Sequence, residues 1–111
     1  MKEVKTLIEA TCPDCRGPLS ELRNGAISEY TCLVGHRYSP RALLTAHSEA
    51  QEKALWAAVV ALEEAVNIVN RLAPQLSEEV AARLRAQVDQ RIAVAVEIRN
   101  MLSRLEPFAT E

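Results

Sequence analysis

Glycine is absent from this sequence after Gly35. Only three occur, Gly17, Gly25 and Gly35, all near the N-terminus. Glycine supplies the positive-φ conformations that tight turns need, so its absence from the remainder predicts helix with few turns. Aromatics are also scarce: Trp56, Phe108, Tyr30 and Tyr38. A core left to Ala, Val, Leu and Ile suggests helices rather than a sandwich. There is no basic excess, with 13 Lys and Arg against 15 Asp and Glu and a net charge of -2. A general nucleic-acid binder needs a basic footprint, because phosphate contacts supply most of its affinity. Apolar runs such as "ALWAAVVAL" are far too short for a membrane span. The start, "MKEVKTLIEA", lacks an apolar core followed by a small-residue cleavage site. The expectation is a cytoplasmic chain whose thiols stay reduced. Its three cysteines, an odd number, argue against a disulfide framework.

Catalytic patterns are missing too. The sequence has no Gly-x-Ser-x-Gly elbow and no phosphate-cradling glycine loop. Glu63-Glu64 and Glu78-Glu79 are adjacent pairs on solvated helix faces, whereas acid–base work needs carboxylates converging in a cleft. "RLRAQVDQR" is basic but carries no aromatics and reads as a solvent face. The chain is expected not to be an enzyme.

What is present divides near Ser39. Residues 1–38 hold every cysteine and glycine; residues 39–111 are rich in alanine. In the first module, "ELRNGAISEY" places Asn24-Gly25 between strand-like runs. Asn-Gly favours a type I′ turn, which predicts a β-hairpin pairing Arg23 with Ala26, Leu22 with Ile27 and Leu19 with Tyr30. Leu19 and Tyr30 then share one face, Leu22 and Ile27 the other.

The second module opens on Ser39-Pro40, an N-cap followed by a proline suited to the first helical position. Leu44, Leu55, Ala58, Leu62, Ala65, Val69 and Leu72 recur at helical spacing, widened by Trp56, Val59 and Val66. Pro74 breaks the run, and Ser77 caps a second helix with Glu78 and Glu79 in its first turn. That helix carries Ala81, Leu84, Val88, Ala95, Ile98, Leu102 and Leu105, with Arg91 as the one charge in the seam and Pro107 at its end. The prediction is an antiparallel hairpin of helices over about 40–73 and 78–106. Trp56, Val60, Ile92 and Val96 lie off the seam. Their burial against a second copy, as a dimeric four-helix bundle, or against the first module is expected.

Cys12-x2-Cys15 and Cys32-x3-His36 flank the predicted hairpin, sixteen residues apart. Folding the hairpin brings the pairs together, and the short–long–short spacing is that of structural zinc sites. Three thiolates and one imidazole complete a tetrahedron and leave no open position, so the expected cofactor is one structural Zn2+ per chain. About forty residues with few large apolar side chains need such a staple. Gly17 and Gly35 let backbone N–H groups approach the thiolates. A redox Cys-x-x-Cys is disfavoured, since it usually opens a helix in a βαβ setting. Iron is disfavoured because the simplest thiolate iron sites use four cysteines. His47, on the face that continues from Leu44, reads as an ordinary half-buried helix residue.

"CPDCRGPLSEL", "YTCLVGHRYSPRALL" and "ALWAAVVALEE" together resemble the C-terminal extension of bacterial CheB-type chemotaxis methylesterase-like proteins. The resemblance covers roughly Cys12 to Glu64 and implies the same metal set. It places Arg16 where the family usually has glycine, at a position that often adopts the left-handed conformation. In the family the extension follows a methylesterase-like domain; the 111 residues contain none, and no esterase activity is carried over. The expectation is a small α+β protein: a zinc ribbon followed by a helical hairpin. Its function is expected to be that of a non-catalytic zinc-binding interaction and dimerisation module associated with bacterial signalling, with a protein partner. The alternative is a nucleic-acid-binding or transcription-linked zinc ribbon. A thiol redox protein is the third reading.

Overall fold

Residues with period-two alternation open the chain. Val4, Thr6, Ile8 and Ala10 alternate with Lys5, Leu7 and Glu9, and they form the first strand of a computed structural model that describes residues 3–110. Met1, Lys2 and Glu111, at the outer ends of the two expected modules, lie outside the described residues. The elements are β1 (Val4–Thr11), β2 (Pro18–Asn24), β3 (Ile27–Cys32), β4 (Arg37–Tyr38), α1 (Pro40–Leu72), a 3₁₀ turn (Ala73–Gln75) and α2 (Glu78–Arg104). The four strands make one antiparallel sheet in the order β1-β2-β3-β4, followed by the helix pair, so the fold is small α+β.

The β2–β3 hairpin exists, but its register differs from the Asn-Gly expectation. Asn24 pairs with Ile27, Leu22 with Glu29 and Leu19 with Cys32. The two-residue loop is therefore Gly25-Ala26. Gly25 has φ 67°, and Asn24 and Ala26 are absent from the positive-φ residues. A single positive φ at the first loop residue is the type II′ pattern, in which glycine takes the first position; type I′ needs two. The slip moves each residue's opposite number by two, so every side chain keeps its face. Leu19 still shares a face with Tyr30 but now lies directly across from Cys32.

The chain resolves into two compact units, residues 1–51 with 107–111 and residues 52–106, and α1 runs through the division. In the first unit, Cys12, Leu19 and Cys32 are buried, with Ile8, Ala10, Tyr38 and Leu43 packed against them. This unit extends past Ser39 because the first turns of α1 belong to that packing. Leu43 joins the core, His47 Nε2 donates to the Thr11 carbonyl at 3.2 Å, and the Phe108 N–H donates to Ser48 Oγ at 3.1 Å. Ser39 caps α1 as expected: its Oγ accepts from the Ala42 N–H at 3.2 Å, with Pro40 following.

In the second unit, Ala81, Val88 and Ala95 of α2 are buried at seven-residue intervals, and Val59 is fully buried on α1. Leu84, Ile98 and Leu102 are half-buried on the same face, which makes α2 a heptad seam interrupted by exposed Arg91. Ser77 caps α2, accepting from the Val80 N–H at 3.2 Å. The helix stops at Arg104, two residues before the expected limit. Leu105 is already extended (φ -75°, ψ 117°), and Pro107 disfavours helix at the residue before it. Arg99 Nη2 lies 2.9 and 3.1 Å from the two carboxylate oxygens of Glu63, and its guanidinium sits 5.3 Å from the Trp56 ring centroid. This clip ties α2 to α1. Among the described residues, no helix is long and apolar enough to cross a membrane.

Candidate metal centre

Each cysteine pair sits in a tight loop at a strand end. Cys12 follows β1. Its N–H donates to the Gly17 carbonyl at 2.7 Å, and its own carbonyl accepts from the Arg16 N–H at 2.8 Å. Closing that loop requires a left-handed residue, and Arg16 takes φ 64°, the one positive value outside glycine among the described residues. The second loop starts where β3 ends. The Gly35 N–H donates to the Cys32 carbonyl and the Cys32 N–H to the His36 carbonyl, both at 3.2 Å, with Gly35 at φ 99°. The β1–β2 and β2–β3 ladders hold the two loops side by side.

One donor atom from each of Cys12, Cys15, Cys32 and His36 lies within 4.8 Å of all the others. The Cys15 and Cys32 sulfurs are 3.6 Å apart, and His36 Nδ1 lies 3.6 Å from Cys12 Sγ and 3.3 Å from Cys32 Sγ. A tetrahedral ion with bonds of about 2.3 Å to sulfur and about 2.0 Å to nitrogen has edges of about 3.8 Å and about 3.5 Å. These three separations lie close to those edges, and the cysteines are free thiols. The four residues expected to hold a metal are thus assembled at metal-binding spacing.

The surroundings favour thiolate at Cys12 and Cys32. Burial raises the Cys12 thiol, but the Tyr38 hydroxyl and the Cys15 and Asp14 N–H groups outweigh it and hold the thiol below its usual range. Burial opposes ionisation of Cys32 as well. The N–H groups of His36 and Val34, with Cys15 and the His36 ring, nevertheless lower it to about 6. The His36 N–H reaches Cys32 Sγ at 3.4 Å. Cys15 is the exposed member: the Gly17 N–H lowers its thiol, but desolvation and the neighbouring Cys32 and Cys12 sulfurs win and raise it. Hydrogen bonding to Cys32, against partial burial, raises the His36 imidazole. Donated N–H groups are the usual means of spreading thiolate charge at a metal.

Two residues around the site were not singled out from sequence. The Tyr38 hydroxyl stands 3.4 Å from Cys12 Sγ and donates to the Asp14 carboxylate. Burial first, then Asp14 and Cys12, hold Tyr38 protonated well above an ordinary phenol. The signal was the "PD" inside Cys12-x2-Cys15 together with a tyrosine two residues beyond His36. His47 is half-buried and outside the donor group; its bond to Thr11 anchors the residue just before Cys12.

Comparison with protein-family models, curated proteins and solved structures gives no match.

Proposed function

We propose that this chain is a non-catalytic zinc-binding module whose metal holds the sheet unit together and whose helices provide an interaction surface. The observation that carries this reading is the cluster of four donors within 4.8 Å of one another, three of their separations close to tetrahedral edges. Three thiolates and an imidazole suit zinc, while hard cations such as Mg2+ and Ca2+ take oxygen. Four protein donors leave no coordination position for a substrate or activated water, and they engage every cysteine in the chain. The buried apolar residues of the sheet unit, among those described, are two of the four donors, Cys12 and Cys32, with Leu19, a core that needs a staple. A setting in bacterial cytoplasmic signalling rests on the resemblance of residues 12–64 to the methylesterase-associated extension alone.

The test is metal analysis of the purified chain. About one zinc per chain is expected. A chain that is fully folded with no metal, or that holds iron instead, refutes the reading.

A further inference from the structure

The three cysteines are not equivalent. Cys12 and Cys32 are buried, at 0% and 7% exposure, whereas Cys15 is exposed. Cys12 Sγ lies inside the sheet unit's core, 3.4 Å from the Tyr38 hydroxyl. Beside Cys15 the chain carries Gly17, where a β-carbon would come 3.4 Å from Cys15 Sγ. The smallest residue leaves that side of the sulfur open.

Cys15 also has a sulfur neighbour on the other loop. Cys32 Sγ, at the end of β3, is 3.6 Å from Cys15 Sγ. An accessible cysteine poised next to a resolving one is the arrangement that turns peroxide into a disulfide. The thiolate is the reactive form, and a metal-bound thiol is already deprotonated. Loading the site therefore holds Cys15 in the form that peroxide attacks.

We propose that Cys15 is a peroxide-oxidation site whose disulfide with Cys32 releases the metal, so that the sheet unit is stapled only under reducing conditions. The proposal rests on the zinc-binding reading and names the regulation of that site. The Cys15 thiolate attacks one oxygen of the peroxide. The O–O bond breaks, hydroxide leaves and a sulfenic acid remains on Cys15. The Cys32 thiolate then attacks the Cys15 sulfur; the S–O bond breaks, the S–S bond forms and a second hydroxide leaves. The two sulfurs together lose two electrons and the peroxide gains them. The charge on the metal does not change.

Cys12 and His36 remain, half of the donor set that a structural site needs. The new bond ties the first loop to the end of β3 but holds neither of them. Cys12, Leu19 and Cys32, the buried apolar residues of the unit among those described, lose the ion that gathers them. The first turns of α1 pack on this unit through Leu43 and His47, and they loosen with it.

Peroxide treatment of the full-length, zinc-loaded chain tests the proposal. A chromophoric chelator reads zinc release, and peptide mass mapping without reductant reads the disulfide. Hydrogen peroxide should release about one zinc per chain, at least as fast as it oxidises free cysteine in the same solution. The released chain should carry a Cys15–Cys32 disulfide, and dithiothreitol with added zinc should restore the loaded form. Cys15→His keeps four zinc donors without the exposed sulfur, and it should lose zinc under peroxide at least about 10-fold more slowly. Cys15→Asp takes its place if that variant does not load, and the wild-type disulfide map decides alone if neither does. A chain that is metal-free before peroxide is added overturns the zinc-binding reading and this proposal with it. A loaded chain that keeps its zinc under peroxide overturns this proposal alone. So does a disulfide other than Cys15–Cys32, oxidation to sulfinic acid with no disulfide, or a loaded Cys15 variant that loses zinc as fast as the wild type.

Discussion

Replacing His36 with alanine separates the contribution of the metal from that of the helices. His36 supplies one of four donors. A structural zinc is worth about 10–16 kcal/mol in apparent binding free energy, so an even share for one ligand is about 2.5–4 kcal/mol, or about 100- to 1,000-fold in affinity. The sheet unit loses its staple, and its core of Cys12, Leu19 and Cys32 is too small to replace it. The helices respond differently. They contain 33 and 27 residues, and of these only the stretch 40–51 of α1 belongs to the sheet unit. Melting that unit alone therefore removes no more than about a fifth of the helical signal, as expected when units open independently. Zinc affinity is read by competition with a chromophoric chelator and helicity by circular dichroism. An affinity unchanged in the variant contradicts the ligand assignment. Loss of most of the helical signal contradicts the independence of the units.

Three further outcomes are expected. Acidification should weaken zinc binding, with the steepest loss below pH 6. The folded Cys32 thiol is depressed from 9.0 to about 6, so the stability its thiolate contributes is full above pH 9 and is lost as pH falls through 6. Chelator competition across pH 5–9 measures the slope, and a pH-independent affinity contradicts it. Arg91→Leu should stabilise the helix pair by about 1 kcal/mol, because it completes the apolar seam between Val88 and Ala95. A thermal melt should show a midpoint raised by about 4–8 °C, and a lowered midpoint counts against the seam. Arg16→Gly should stabilise the sheet unit by up to about 1 kcal/mol, since a left-handed non-glycine residue costs about 1–2 kcal/mol and glycine returns part of that as chain entropy. Urea denaturation followed by Tyr fluorescence reads it, with Arg16→Ala as a control that should bring no gain.

The donors and the helices were legible because each rests on a short-range rule. Cys12-x2-Cys15 and Cys32-x3-His36 define their own loops, and the left-handed conformation of Arg16 was expected only through the resemblance, which puts glycine there. Ser39 and Ser77 marked helix starts through their side-chain caps. The hairpin turn was less legible: Asn24-Gly25 and Gly25-Ala26 are both acceptable loops, and pairing of Leu19 with Cys32 in the core decides between them. β1 was missed although Val4, Thr6, Ile8 and Ala10 alternate correctly, because a strand is stable only once β2 pairs with it. The role of His47 depends on Thr11, 36 residues away, and no local pattern reports such a contact.

The exposure of Cys15 gives the tetrahedron one vulnerable corner. Cys12 and Cys32 are buried and receive two backbone N–H groups each, whereas Cys15 is exposed and receives only that of Gly17. A more basic sulfur, once ionised by a metal, is the stronger nucleophile. Electrophiles should therefore enter at Cys15, and demetallation should begin there rather than at random. Limited alkylation of the zinc-loaded chain with iodoacetamide, followed by peptide mass mapping, is expected to label Cys15 first. Equal labelling of the three cysteines would show that the corner is no more vulnerable than the others.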